Sequence, residues 1–138
     1  MKALTPLSQL ISLKGKSALI TGSAAGIGKA MAYRFAEAGA DLELVDMNRE
    51  GLRIVQKELS QFPSGIRIYK VNLSQKEEID TLWESLDGEE PDILVNNAGI
   101  YPFKNFLEID GAFLGKVMDI NLTSVFWMCH NMIRRRAK

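Results

Sequence analysis

The sequence predicts an α/β fold, a doubly wound parallel sheet with helices on its faces. Two observations predict it. Four short runs rich in Ile, Leu and Val alternate with segments of helical period about ten residues long or longer, in the order β-α-β-α-β-α-β-α. The first run also enters its helix through TGSAAGIG at 21–28, a stretch of small residues with three glycines. Alternation of this kind implies parallel strands joined by right-handed crossovers. No internal repeat, linker or low-complexity segment interrupts it, so residues 13–138 read as one domain behind an extension at 1–12.

The elements follow in order. SALIT (17–21) is a short buried strand running into the glycines. From Ile27 the period turns helical, with Ile27, Ala30, Met31, Phe35 and Ala38 on one face and Gly39 as the stop. DLELVD (41–46) is the second strand. Leu52, Val55 and Leu59 mark the second helix, which Pro63 and Gly65 close off. IRIYKV (66–71) alternates as the third strand. Ser74 and Glu77 have the spacing of a capping box, and Ile79, Leu82, Trp83 and Leu86 form the apolar stripe of the helix it would start. DILVNN (92–97) is the fourth strand. A loop with Tyr101 and Pro102 leads into a long helix from about Asp110 to about Arg136. Its stripe of Leu114, Val117, Met118, Val125, Cys129 and Met132 encloses Asn121, so a buried amide that must find partners is expected there.

Composition excludes several classes. With 46% hydrophobic and 25% charged residues the chain resembles an ordinary soluble globular protein. Seventeen basic and 17 acidic side chains cancel, so no global field favours nucleic acid or an anionic membrane. No run approaches the roughly 18 apolar residues of a membrane span. The opening MKALTPLSQLISLKGK is broken by Pro6, Ser8, Gln9 and Ser12 and has no A-x-A site, so no signal peptide is expected. The single cysteine, Cys129, allows no internal disulfide framework and fits a reducing, cytoplasmic setting. No His, Cys or carboxylate cluster has metal-ligand spacing, and no metal is expected. His130 and Cys129 are neighbours on a helix and diverge by about 100°. Arg134, Arg135 and Arg136 end the long helix where positive charge complements its dipole.

The glycine loop departs from the usual G-x-G-x-x-G spacing, since Met31 stands where the third glycine belongs. Gly22, Gly26 and Gly28 stand instead, with Ser23, Ala24 and Ala25 free of bulk and charge. A strand-to-helix turn of this type lets backbone approach a pyrophosphate, and the helix N-terminus offers unpaired N–H groups. A tight glycine turn without a ligand is the plain alternative. Asp46 ends the second strand 18 residues after Gly28, about where a carboxylate accepts hydrogen bonds from an adenosine ribose. A helix N-terminal aspartate is its plain alternative. The carboxylate would repel a 2′-phosphate, so NAD is expected ahead of NADP, with Arg49 the next base along the chain.

TGSAAGIG at 21–28, Asp46, NNAG at 96–99 and INLTS at 120–124 together resemble the short-chain dehydrogenase/reductase family, in its order and at its spacing, from about Leu13 to Lys138. The resemblance implies a Rossmann-like NAD(P)-binding domain of strand order 3-2-1-4. It also implies hydride transfer between nicotinamide and the alcohol or carbonyl carbon of a small molecule. Gly22, Ser23, Gly26, Ile27 and Gly28 would then line the pyrophosphate side, and Asp46 would hold the ribose. Asn72, where the family commonly has aspartate, would lie at the adenine together with Leu73. Asn96, Ala98 and Gly99 would lie under the cofactor, with Asn97 bracing the sheet. Asn121 matches the family's catalytic asparagine, which bends its helix and holds a water that relays protons; a structural asparagine satisfied by backbone is the alternative.

The family's Tyr-x-x-x-Lys is missing. Four residues after Tyr33, Tyr69 and Tyr101 stand Glu37, Leu73 and Asn105. The strand that would carry the family's serine is not reached either. The expectation is a truncated, cofactor-binding half, inactive alone, with strand 92–97 as an exposed edge and the helix 110–136 as a homo-oligomer interface. The alternatives are a non-catalytic dinucleotide-binding module and an interaction fragment.

Overall fold

A computed structural model describes residues 10–137, so most of the extension at 1–12 lies outside the described residues. Four strands, β1 (Ser17–Thr21), β2 (Asp41–Asp46), β3 (Ile66–Lys70) and β4 (Ile93–Val95), form one sheet in the order β3-β2-β1-β4. Every pairing is parallel. The crossovers contain α1 (Gly26–Glu37), α2 (Arg49–Leu59) and α3 (Lys76–Ser85). The expected long helix consists of α4 (Gly111–Met118), a π-helical segment (Asp119–Thr123) and α5 (Ser124–Arg136).

Because successive strand residues point to opposite faces, the sheet builds two cores. Ala18, Ile20, Leu42 and Leu44 meet Ala32 and Ala36 of α1 and Leu52, Val55 and Leu59 of α2. Leu19 and Val45 meet Ile79, Leu82, Trp83 and Leu86 around α3 and Met128 of α5. One charge interrupts this second face. Glu43, in the middle of β2, is buried, and Arg67 of β3 grips both its oxygens through Nε at 3.0 Å.

Three expectations are corrected here. The buried face of α1 is Gly28, Ala32 and Ala36, whereas Ile27 and Ala30 are exposed. Helix and sheet come too close for large side chains on the contact line, so Met31 and Phe35 pack at its flanks. The capping box does not form: Asn72 Oδ1 accepts from both the backbone N–H and the hydroxyl of Ser74, at 3.2 and 2.9 Å, and α3 starts after Gln75 with no side-chain cap. The fourth strand is three residues long rather than six. At its start Asp92 is bound to Ser17, and beyond its end the N–H groups of Asn97 and Ala98 turn to the Thr21 hydroxyl, so the ladder to β1 spans only Ile93–Val95. Gly39 ends α1 as expected, with φ +92° and its N–H donating to the Ala36 carbonyl.

The π segment has a local cause. The Ser124 hydroxyl donates to the Ile120 carbonyl at 2.6 Å, while the Ser124 N–H reaches back to Asp119. Beyond this turn α5 buries Ser124, Met128 and Asn131. Leu114, Met118, Leu122, Phe126 and Ile133 lie exposed. The expected stripe is therefore only partly covered, and Asn121 is exposed instead of buried in it. No helix among the described residues is long and apolar enough to cross a membrane.

Asp92 ties the lower rim together. Its carboxylate accepts from the Ser17 N–H at 3.1 Å and pairs with Arg136 at 3.1 Å and Lys16 at 3.3 Å. The Ser17 N–H first, then Arg136 and Lys16, hold the Asp92 carboxyl below the usual carboxylate range. A carboxyl lowered in the folded state adds stability at pH values above its unfolded pKa, and that contribution is lost as pH falls through the folded pKa. Asp92→Asn is expected to lower the urea midpoint at neutral pH and to flatten its decline in acid, checked by urea titrations at pH 7 and at successively lower pH.

Candidate functional site

The carboxyl ends of β1, β2 and β4 converge on a cleft of about 240 Å³. Six residues expected at a cofactor site line it: Gly22, Asp46, Asn72, Leu73, Ala98 and Gly99. Met47, Val71, Ile100 and Ile120 complete the wall. A larger groove of about 510 Å³ runs along β3 between α2 and α3, and none of the expected residues lines it.

Thr21 is the hub of the cleft floor. Its buried hydroxyl donates to the Val95 carbonyl at 3.2 Å and accepts from the N–H groups of Asn97 and Ala98 at 3.0 Å each. Asn97 answers with its side-chain amide, which donates to the carbonyls of Thr21 and Gly22. Asn97 thus braces the glycine loop against NNAG. Asn96 turns the other way, donating to Cys129 Sγ at 3.3 Å.

Glycine is required in the loop for two different reasons. Gly22 and Gly26 have φ of +67° and +56°, the left-handed region. Gly28 instead faces a wall: a Cβ there would lie 2.1 Å from the Gly22 carbonyl oxygen. Ser23 is buried beneath, its N–H and hydroxyl both directed to the Val45 carbonyl. Ala24 donates to Asp46 Oδ2 at 3.0 Å, and Asp46 Oδ1 accepts from Asn48 at 2.8 Å. Asp46 is therefore no helix cap; Asn48 caps α2 by accepting from Gly51.

The start of α1 is the most open helix end. Its N-cap, Ala25, supplies no side-chain hydrogen bond, its first turn carries no acidic residue, and the first backbone N–H to find an acceptor is that of Lys29. The N–H groups of Gly26, Ile27 and Gly28 are free among the described residues. α2 and α4 are capped by Asn48 and Asp110, and the first turn of α3 carries Glu77 and Glu78.

Asn121 lies on the π segment, and its amide clasps one backbone unit. Oδ1 accepts from the Ile100 N–H and Nδ2 donates to the Ile100 carbonyl, each at 2.8 Å. Asn121 thereby finds its partners in the backbone and holds the exit of NNAG at the edge of the cleft. Of the three tyrosines, Tyr33 is raised in pKa by its hydrogen bond to Glu58. Tyr69 is pushed up to about 12, first by burial and then by Glu43. Both shifts run opposite to what a proton-accepting tyrosine needs. Tyr101 is exposed. No group of three His, Cys, Asp or Glu side chains that would hold a metal is found among the described residues.

Thr21, Met47, Val71, Ile100 and Ile120 are site residues that pattern reading left out. Each is an immediate sequence neighbour of an expected residue; the rule that ligands sit at strand carboxyl ends reaches Thr21, Met47, Val71 and Ile100, but not Ile120 on the π-helical segment.

A parallel, doubly wound sheet with a glycine loop and cleft at its carboxyl edge defines a Rossmann-like α/β domain. The family model for short chain dehydrogenase matches residues 16–137, and the chain belongs to that family, whose members are oxidoreductases that bind NAD(P). It is 35% identical over 127 residues to 3beta-hydroxysteroid dehydrogenase 2 of Eggerthella lenta, covering 88% of this chain and 48% of the relative. It is 36% identical over 134 residues to the 3-oxoacyl-[acyl-carrier-protein] reductase FabG of Aquifex aeolicus, covering 93% and 53%. The structure of L-sorbose reductase from Gluconobacter frateurii, complexed with NADPH and L-sorbose, superposes with a TM-score of 0.86 at 28% identity, over 92% of this chain and 50% of that one. The chain thus spans about half the length of these relatives.

Proposed function

We propose that this chain is the cofactor-binding half of an NAD(P)-dependent oxidoreductase acting on an alcohol or carbonyl compound, with NAD preferred. The observation that carries the reading is the uncapped start of α1, with three free backbone N–H groups beside glycines whose positive φ brings backbone to the surface. Gly22, Ser23, Gly26, Ile27 and Gly28 form the pyrophosphate cradle. Asp46 keeps lone pairs free on both oxygens for the ribose hydroxyls after accepting one backbone N–H on each. Asn72 and Leu73 bound the adenine end, where Asn72 offers its amide N–H because its Oδ1 is taken by Ser74. Ala98 and Gly99 form the floor, Asn96 backs it from behind through Cys129, and Asn121 positions Ile100 beside it.

The cofactor supplies the hydride donor or acceptor; this chain's residues bind and orient it. The alcohol or carbonyl class is that named in the relatives, a hydroxysteroid dehydrogenase, an oxoacyl reductase and a sorbose reductase. The proton-handling Tyr-x-x-x-Lys does not occur in the 138 residues. The half-covered stripe of α4 and α5 supports homo-oligomerisation through that helix, and the free Cys129 supports a cytoplasmic setting. A second reading, a non-catalytic dinucleotide-binding module, rests on the same free N–H groups at the start of α1.

Fluorescence titration tests the cofactor. NADH should bind tighter than NADPH by about tenfold or more, because the Asp46 carboxylate opposes a 2′-phosphate. Gly26→Asp should weaken NADH by about tenfold or more through a negative charge at the α1 N-terminus. Nothing lies within 4 Å of the added Cβ, so the fold should survive apart from modest backbone strain. Equal affinity of the variant for NADH would sink the cradle. NADH formation on a panel of secondary alcohols separates an enzyme from a binding module.

A further inference from the structure

The strand order lays most of the cleft lining out in a row. Ala98, Gly99 and Ile100 follow β4, Gly22 follows β1, Asp46 and Met47 close β2, and Val71, Asn72 and Leu73 follow β3. With a pyrophosphate at Gly22 and a ribose at Asp46, the base of the nucleotide comes against the β3 end of that row. Of Met47, Val71, Asn72 and Leu73, only Asn72 has a polar side chain, and it is half-buried.

The turn after β3 engages Asn72 at every polar atom but one. Its backbone N–H donates to Glu78 Oε2 at 2.7 Å, and its carbonyl accepts from the Gln75 N–H at 3.0 Å. Its side-chain Oδ1 accepts from the Ser74 N–H at 3.2 Å and from the Ser74 hydroxyl at 2.9 Å. Those two donors fix which way the amide points. A backbone N–H can only donate, so the side-chain atom facing it is the oxygen. The Ser74 hydroxyl accepts from Gln75 Nε2 at 3.3 Å, which leaves its proton for Asn72. Asn72 Nδ2 has no acceptor among the described residues, and neither has the Leu73 N–H next to it.

The polar side chain at the β3 end therefore offers the base donors and no acceptor. An amino group at purine C6 is itself a donor and cannot pair with Nδ2. A carbonyl at C6 is an acceptor, and the adjacent N7 is a second one for a neighbouring N–H. An aspartate at this position would take the same two Ser74 donors and keep an oxygen free for the amino group.

We propose that Asn72 sets the base preference of the cleft, selecting a dinucleotide whose purine carries a carbonyl at C6 over one that carries an amino group there. This rests on the cofactor reading of the same cleft and adds which edge of the base the chain recognises.

The test is fluorescence titration of the whole 138-residue chain with NADH and with reduced nicotinamide hypoxanthine dinucleotide, which differs from NADH in having the C6 carbonyl. The hypoxanthine dinucleotide should bind about fivefold tighter, the worth of one hydrogen bond. Asn72→Asp should reverse the order by a similar factor. Its added charge weakens both dinucleotides alike, so the ratio of affinities is the readout. Asn72→Ala, which removes the amide, should bring that ratio to about one. Equal affinities for the unaltered chain, NADH the tighter of the two, or a ratio unmoved by Asn72→Asp and Asn72→Ala would overturn the proposal. If neither dinucleotide binds, the cofactor reading falls and takes the proposal with it, whereas NADH binding with the wrong preference overturns the proposal alone.

Discussion

Gly28→Ala is expected to cost about 3 kcal/mol of stability and to abolish NADH binding, since among the described glycines it is the one whose added Cβ meets the closest contact. The added Cβ would lie 2.1 Å from the Gly22 oxygen, 2.7 Å from its carbonyl carbon and 2.5 Å from Asn97 Nδ2. The first two are backbone, and the third belongs to the amide that ties Thr21 and Gly22 to NNAG. Nothing there yields cheaply, so α1 must lift from the sheet or the glycine loop must shift. Either movement disturbs the free N–H groups at the α1 start. Urea unfolding and an NADH titration on one preparation check both halves; a variant of unchanged midpoint would show that the helix is less tightly seated than its Gly28, Ala32, Ala36 face indicates.

Arg67→Met is expected to destabilise the chain by about 3 kcal/mol, the lower end for breaking a buried ion pair. The Glu43 side chain is 3% exposed and sits on the face that otherwise holds Leu19, Val45 and Trp83, so removing Arg67 strands a carboxylate there. Arg67 is itself 46% exposed, and water entering the vacated space limits the loss. Glu43→Met with Arg67→Met removes both charges and should recover most of it. A double variant no more stable than Arg67→Met in urea titration would mean that the pair stabilises beyond satisfying Glu43.

The sheet and its helices were legible because both signals are dense: β1 and β2 begin and end where their apolar runs do, and the Ile79, Leu82, Trp83, Leu86 stripe is buried throughout. What escaped pattern reading depends on proximity rather than periodicity. The α1 contact line is made of small residues that no hydrophobic stripe picks out. Ser74 had the right spacing for a capping box but lost its hydroxyl and N–H to Asn72, two residues away, a competition decided by local turn geometry. The resemblance implies a bend at Asn121, but the apolar stripe drawn through it assumes a regular helical period, and the π turn at Asp119–Thr123 breaks that period. For the cleft, six of the expected residues line one cavity, while Thr21 was legible only as the first residue of TGSAAGIG and the end of β1; that its hydroxyl serves three backbone groups depends on the approach of residues 95–98.

The bonds around the glycine loop differ widely in the length of chain they close. Ala24 meets Asp46 across 22 residues, whereas Asn97 meets Thr21 across 76. During synthesis at ~5–20 residues per second, β1 can gain β2 as a neighbour several seconds before β4 and NNAG exist. The loop is thus made well before the segment that finally secures it. A nascent chain halted before Val95 lacks both the β4 strand and the partners of the Thr21 hydroxyl, and one flank of β1 stays open to a foreign strand.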